Sequence, residues 1–385
     1  MFGSVKVGIM GTGKIAGIMA DTIKSMRGVS LYAVGSRTPE KAAQFASEHG
    51  VKKNYGSYQE LVDDPKIDLI YVATPHSEHY ANTKLALMAG KSVICEKAFM
   101  LNERQAREIF ELADQKKLLV TEAMWTRYMP VRAQLSEVLA SNVIGEPTML
   151  TANLGYNVIY KDRISKPEFG GGALLDLGVY VLNFASMVFG NDVTDIISTC
   201  TCNEYGVDVQ DSITLKYRDG KMAVLNATVL SIADRKATIY GTKGYIEVDN
   251  VNNIGSITVY DNERRKKAYY KAEGSGTGYE YEIEACVKAL SEKWIECPAM
   301  PHFETLKMLN MMDFIRENNG IKFPAENASF TDYDNTSAHS ENAYAVENSM
   351  ATQETGNLIE TPALEAPALE TQNEVPAAEN SEEIL

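Results

Sequence analysis

The run "SVICEKAFMLN", Ser92 to Asn102, ends a series of apolar strand formers on an acid and a lysine. A strand covered on both faces tolerates adjacent charges only at its exposed end, which is also where a ligand can meet them. Lys97 is therefore a candidate for chemistry, with Glu96 beside it. Taken alone, the pair reads as a surface ion pair, so the surrounding residues have to decide.

A second pattern points to a nucleotide. The first apolar run, "VKVGIM", leads directly into "GTGKIA", which sets Gly11, Gly13 and Ala16 in the order of a dinucleotide-binding turn. Gly11 permits the tight turn, Gly13 lets the backbone approach a pyrophosphate, and Ala16 keeps the helix close to the strand. Thr12, Lys14 and Ile15 complete this segment, and the helix that follows offers free N–H groups and the positive end of its dipole. At the end of the second strand an acid would ordinarily bind the adenine ribose, but here the residues are Ser36 and Arg37. With a hydroxyl and a guanidinium in that place, NADP is favoured, and NAD remains an alternative if Arg37 is only a surface charge. Thr74 and Pro75, in "ATPHSEH", are expected to border the nicotinamide half, with His79 on the next helix. His76 reads as a solvent-facing loop residue.

The elements needed to position these residues are visible as an alternation. "VKVGIM", "VSLYAVGS", "IDLIYVAT", "KSVICE" and "LLVTEA" read as strands, with a weaker one at "VKKNYG", and helical runs lie between them. Thr38 before Pro39 is a helix start and Gly90 a helix stop. Such alternation predicts an α/β domain with a doubly wound parallel sheet over residues 1–122. From 123 to 325 the pattern becomes α+β, with alternating runs such as "SITLKYR" and "MAVLNATVLS" and a turn at Asp219-Gly220. This predicts a largely antiparallel open sheet, crossed by the helical runs "ALLDLGVYVLNFASMVF" and "YEYEIEACVKALSEKW".

Composition narrows the function. The chain has 385 residues, 45% of them hydrophobic, enough for two cores. No apolar run was expected to reach a membrane span and the N-terminus does not read as a signal peptide, so a cytoplasmic location is the default expectation. Five cysteines scattered through the chain do not make a disulfide framework. Cys200 and Cys202 would share one face of a strand with no second pair nearby, so no metal site is expected. Of the net charge of −15, the stretch Thr331 to Leu385 contributes 12 acids and no Lys or Arg, which leaves 40 acids against 37 bases elsewhere. That balance argues against nucleic-acid binding, and residues 326–385 read as an acidic disordered tail.

In this order, "GTGKIA", "ATPHSEHY", "GKSVICEK" and "GGALLDLGVY" resemble the glucose-fructose oxidoreductase and inositol dehydrogenase family (Gfo/Idh/MocA) over residues 1–325. Within it, "TEAMWTRYMP", "GGGALLDLGVY" and "SMVFG" are similar to the dimeric dihydrodiol dehydrogenases, which also act as NADP-dependent D-xylose dehydrogenases. The resemblance implies a Rossmann domain, a second domain that often forms a homodimer contact, and hydride transfer on a hydroxyl carbon of a sugar, polyol or cyclic diol. It makes Lys97 the active-site lysine and Asp176 and Tyr180 the second catalytic segment. Four residues apart on a predicted helix, those two side chains face the same way. Two departures stand out: Ala98 replaces the family's usual proline, and Tyr180 stands where many members have histidine.

The expected mechanism has Tyr180 as acid/base, Lys97 polarising the substrate oxygen, and Asp176 binding a neighbouring hydroxyl, with the first two roles exchangeable. Tyr156, Tyr160 and Arg163, in the loop "YNVIYKDRISKPEF", are expected in the substrate pocket. Alternatives are a keto-sugar or anhydrosugar reductase and a non-catalytic NADP(H)-binding redox sensor.

Overall fold

The computed structural model describes residues 4–272 and 276–327. In the first part, β1 (Val5–Met10), β2 (Val29–Gly35), β3 (Lys53–Tyr55), β4 (Leu69–Val72), β5 (Ser92–Glu96) and β6 (Val120–Ala123) alternate with α1 (Lys14–Ser25), α2 (Pro39–His49), α3 (Tyr58–Asp63), α4 (His76–Met88) and α5 (Glu103–Lys116). The strands lie in the order β3-β2-β1-β4-β5-β6, and all of their pairings are parallel. β4, β5 and β6 are buried along their whole length, as a sheet covered on both faces requires. Strand order reverses between β1 and β4, so the connections leaving their carboxyl ends diverge and open a crevice there.

Local signals place the helix ends. Pro39 is the first residue of α2 and Gly50, at φ 64°, closes it, although Thr38 at the N-cap makes no side-chain capping bond. Asn102 caps α5 by accepting a hydrogen bond from the Gln105 N–H.

The second part contains α6 (Pro130–Ala140), β7 (Pro147–Gly155), α7 (Asp162–Ser165), α8 (Val179–Phe189), β8 (Val193–Cys202), β9 (Asp208–Tyr217), β10 (Met222–Thr228), β11 (Ala237–Gly241), β12 (Gly244–Asp249), β13 (Ser256–Asp261), β14 (Lys266–Lys271), α9 (Glu280–Glu292) and α10 (His302–Asn319). Its eight strands run in the order β14-β13-β12-β11-β7-β10-β9-β8. Only β7 and β10 pair in parallel; the remaining pairs are antiparallel. β9 alternates buried Ile213, Leu215 and Tyr217 with outward polar residues, so one face meets the core and the other does not. Pro167–Phe189 is long and apolar enough to cross a membrane by length and composition, which the sequence reading did not anticipate. The structure uses it as a core segment, with 83% of the apolar window buried.

The end of the described chain returns to the first sheet. Ile283, Cys286 and Ala289 of α9 share a core with Val7 and Ile9 of β1. The Val120 N–H of β6 donates to Ile295 O at 3.0 Å. Asn102 and Gln105 donate to the carbonyls of Glu326 and Ala325, both at 3.0 Å. Beyond residue 327 the anticipated acidic tail lies outside the described residues.

Candidate active site

A cavity of about 780 Å³ opens at the carboxyl ends of the parallel strands. Its wall begins with Gly11 to Ile15, the turn from β1 into α1. Gly11 has φ 111°, and a Cβ there would come within 2.8 Å of Ala73 O, so the turn admits only glycine. A Cβ on Gly13 would meet nothing within 4 Å. It would project into the open space that a pyrophosphate would take. As N-cap, Gly13 supplies no side-chain acceptor, and the first N–H groups of α1 remain for a ligand. These features fit a dinucleotide. Ser36 and Arg37 line the cavity at the end of β2 together with Lys41 and Tyr58, while the acids of the lining, Glu96 and Asp176, come from elsewhere in the chain.

Lys97 leaves the end of β5, and its peptide bond to Ala98 is cis. Its Nζ donates to the backbone oxygen of Asp176 at 2.7 Å and to Asp176 Oδ1 at 3.3 Å. Arg163 Nη1 reaches the same Oδ1 at 3.0 Å. Burial alone would raise the Asp176 carboxyl, but the Lys97 and Arg163 cations beside it prevail and hold it well below the usual range. Asp176 therefore stays ionised, a carboxylate held between two cations.

The segment carrying Asp176 is a π-helical turn, Leu174–Gly178, that runs into α8. Its entry is tight: a Cβ on Gly172, at φ 120°, would lie 2.3 Å from Asp208 Oδ1. Asp208 Oδ2 accepts the Leu174 N–H at 2.6 Å. Tyr180 follows in the first turn of α8, and Lys97 Nζ stands 4.9 Å from its ring centroid. The ammonium thus faces the ring rather than only the hydroxyl, and Asp176 balances its charge. Burial, with Tyr279, Glu96 and Asp176 nearby, pushes the Tyr180 phenol well above its ordinary value. Desolvation is the largest of these influences, so the phenol is held in its protonated form.

Neighbouring groups hold the β5 end in place. Tyr71 OH donates to Glu96 Oε1. Glu122 Oε1 accepts the Phe99 N–H at 3.1 Å and Glu122 Oε2 the Thr305 hydroxyl at 2.9 Å.

His76 and His79 are both buried on α4. His76 is not a solvent-facing loop residue; it begins α4 and is buried. Its Nδ1 lies 2.8 Å from Gly170 O and its Nε2 3.1 Å from Lys97 O. Burial brings it down to about 3, so at neutral pH the ring has one N–H and donates to one of those carbonyls at a time. His79 lies on the wall beside Thr74 and Pro75. Its ring nitrogens face Thr74 O and Ala98 O, both at 2.9 Å, so it joins two turns of that wall.

Tyr156 and Arg163 line the cavity, whereas Tyr160 does not and is 74% exposed. Lys41, Tyr58, Asn252 and Tyr279 were not anticipated but also line it. Lys41 could have been found as a further cation just after Arg37. Asn252 and Tyr279 arrive from distant segments and carry no local signal.

Known proteins resemble the chain in both of its parts. Residues 5–124 match the model of the oxidoreductase family with an NAD-binding Rossmann fold, and residues 133–247 that of the GFO/IDH/MocA C-terminal domain. The trans-1,2-dihydrobenzene-1,2-diol dehydrogenase of Xenopus tropicalis is 32% identical over 329 residues, covering 83% of this chain and 100% of the relative. Its Homo sapiens counterpart is 31% identical over 302 residues, 77% of this chain and 90% of the relative. Among solved structures, the 3-ketoreductase KijD10 of Actinomadura kijaniata, with NADP and TDP-benzene, has a TM-score of 0.76 at 22% identity, covering 82% of this chain and 98% of that one. The aldose-aldose oxidoreductase of Caulobacter crescentus gives 0.74 at 19% identity, covering 82% and 97%. Those two likenesses bear on the fold. With both parts matched by the family's models and a relative aligned along its whole length, the chain belongs to the Gfo/Idh/MocA oxidoreductase family.

Proposed function

We propose that this protein is an NADP-dependent oxidoreductase that moves hydride between the nicotinamide and a hydroxyl or carbonyl carbon of a cyclic vicinal diol or a sugar, of the trans-dihydrodiol or D-xylose type. The observation that carries the reading is one continuous cavity, lined by the Gly11–Ile15 turn as well as by Lys97, Asp176 and Tyr180. Bound there, the nicotinamide supplies or accepts the hydride. Ser36, Arg37 and Lys41 favour the cofactor's 2′-phosphate by a hydroxyl and two cations. The relatives named as dihydrodiol dehydrogenases support the diol.

Lys97, anchored on Asp176, directs its ammonium at the substrate oxygen and stabilises negative charge on it. Its contacts and those of Arg163 both use Asp176 Oδ1, so Oδ2 is the oxygen for a second substrate hydroxyl. Tyr180 gives its phenolic proton to the oxygen as a carbonyl is reduced and takes it back as an alcohol is oxidised. The raised phenol favours the donor role. A second reading, in which the physiological direction is reduction of a keto-sugar, uses the same protonated phenol as its donor. A homodimer formed through the outer face of the eight-stranded sheet and a cytoplasmic location complete the proposal.

The test is spectrophotometric. Purified protein is supplied with NADP⁺ or NAD⁺ and D-xylose, inositols or cyclic trans-diols, and in reverse with NADPH and keto-sugars. Turnover preferring NADP⁺ on xylose or a trans-diol upholds the first reading. Turnover confined to NADPH and carbonyl substrates upholds the second, and tight NADPH binding without turnover on any substrate rejects both.

A further inference from the structure

Away from the cavity, β8 ends with two cysteines at alternate positions. Cys200 and Cys202 are two residues apart on a strand, so their side chains leave the same face, and their Sγ atoms lie 3.7 Å apart. That face also presents Ser198, whose hydroxyl accepts a hydrogen bond from Asn319 of α10. Cys200 is half-buried, Cys202 is exposed, and Cys95, Cys286 and Cys297 are buried.

The backbone around the pair can adjust. β8 is the outermost strand of its sheet, so only one side of its backbone is tied to a neighbour. The ladder with β9 changes register between Thr201 and Cys202. Such a bulge adds twist and frees the strand end from regular pairing. Closing 3.7 Å to the ~2.05 Å of a disulfide requires the two Cβ atoms, about 6.6 Å apart on a regular strand, to come within about 4 Å of each other. The register shift at Cys202 and the free edge of β8 leave room for that backbone change.

We propose that Cys200 and Cys202 form a redox-active dithiol that hydrogen peroxide closes to an intrastrand disulfide. The exposed Cys202 thiolate attacks one peroxide oxygen. An S–O bond forms, the O–O bond breaks, and the departing hydroxide leaves as water with the proton the thiol has released. Cys200 sulfur then attacks Cys202 sulfur. The S–S bond forms, the S–O bond breaks, and a second water carries away the Cys200 proton. Two thiols are oxidised and one peroxide is reduced to two waters. Burial, then the Cys202 thiol and the Asp211 and Asp208 carboxyls, push the Cys200 thiol up to about 12, which assigns the first attack to Cys202. The inference stands independently of the reaction proposed for the cavity.

Mass spectrometry tests it on the full chain. Reduced protein is treated with hydrogen peroxide, its remaining thiols are blocked with iodoacetamide, and trypsin is added. Trypsin does not cut the Lys166–Pro167 bond, so residues 164–216 leave as one peptide with both cysteines and no other, and it reports on the pair. The expected peptide is two hydrogen atoms lighter, takes no iodoacetamide, and regains both alkylations after dithiothreitol. In Cys200→Ser the reaction should stop at Cys202 sulfenic acid, which dimedone traps. If both wild-type cysteines remain alkylatable at the peroxide dose that labels Cys202 in the variant, the dithiol is rejected. A disulfide from Cys202 to a second chain rejects it equally.

Discussion

Lys97 is bound to two oxygens of a single residue, the backbone carbonyl and the carboxylate of Asp176, and its charge is thereby committed before any substrate arrives. In the proposed mechanism Tyr180 is the group that gives and takes the proton. Replacing it with Phe should lower turnover by roughly 10²- to 10⁴-fold while NADPH binding, followed by fluorescence, changes little. A variant retaining most of its turnover would transfer the proton to Lys97. Because burial raises the phenol, it stays protonated throughout the neutral range, and carbonyl reduction should be flat between about pH 6 and 9. Steady-state rates in both directions check this, with alcohol oxidation rising over the same range. Arg37→Ala should raise KM for NADP⁺ about tenfold or more, the equivalent of one charge-assisted hydrogen bond, and leave KM for NAD⁺ nearly unchanged. Lys97, Gly11 and Gly13 were legible in the sequence because strand, turn and charge are adjacent in the chain. Asp176 and Tyr180 came from family resemblance alone, since an acid and a tyrosine four apart on a helix are ordinary. His76 was misread because "PHSEH" is polar, and the groups that cover it, among them Gly170, belong to a segment far along the chain.

The elements around β5 and β6 set the precision of the site, and Glu122 is the connection that can be titrated. Burial raises its carboxyl to about 7, above the roughly 4.3 of an unfolded chain. The folded state therefore holds this proton more tightly than the unfolded one. The stabilisation is complete below the unfolded value and is lost as pH rises through about 7, at up to about 1.4 kcal/mol per pH unit between them. Glu122→Gln keeps the shape and removes the proton, so the stability of the wild type relative to the variant should fall across that window and level off above it. Urea unfolding at several pH values measures the difference, and a constant difference would show that Glu122 is not held neutral. Most elements were legible: β4 and the centre of β5 as apolar runs, β6 from its place in the strand-helix alternation, and β9 to β12 as alternations. The π-helical turn at Leu174–Gly178 was not, because its extra residue per turn leaves no periodic mark in a run where Asp176 is the one polar side chain among apolar neighbours.

At the scale of the whole molecule, the outer face of the eight-stranded sheet leaves Met149, Ile197 and Met222 exposed. If a second copy covers them, sedimentation equilibrium should give twice the chain mass of 42.4 kDa. Ile197→Arg should return the monomer with turnover per site intact, since one chain supplies every catalytic candidate; a wild type that sediments as a monomer would end the dimer proposal. What the sequence could not convey is where the last helices go, because nothing in "YEYEIEACVKALSEKW" specifies which sheet it will cover. That return has a consequence for synthesis. A ribosome releases residues 1–123 long before residues 295–326, yet Val120, Asn102 and Gln105 wait for Ile295, Glu326 and Ala325 to satisfy their hydrogen bonds. Every nascent chain therefore passes through a stage with the nucleotide turn already translated but the sheet edge and α5 unfinished. The step that completes the first half of the protein is the emergence of residues 295–326.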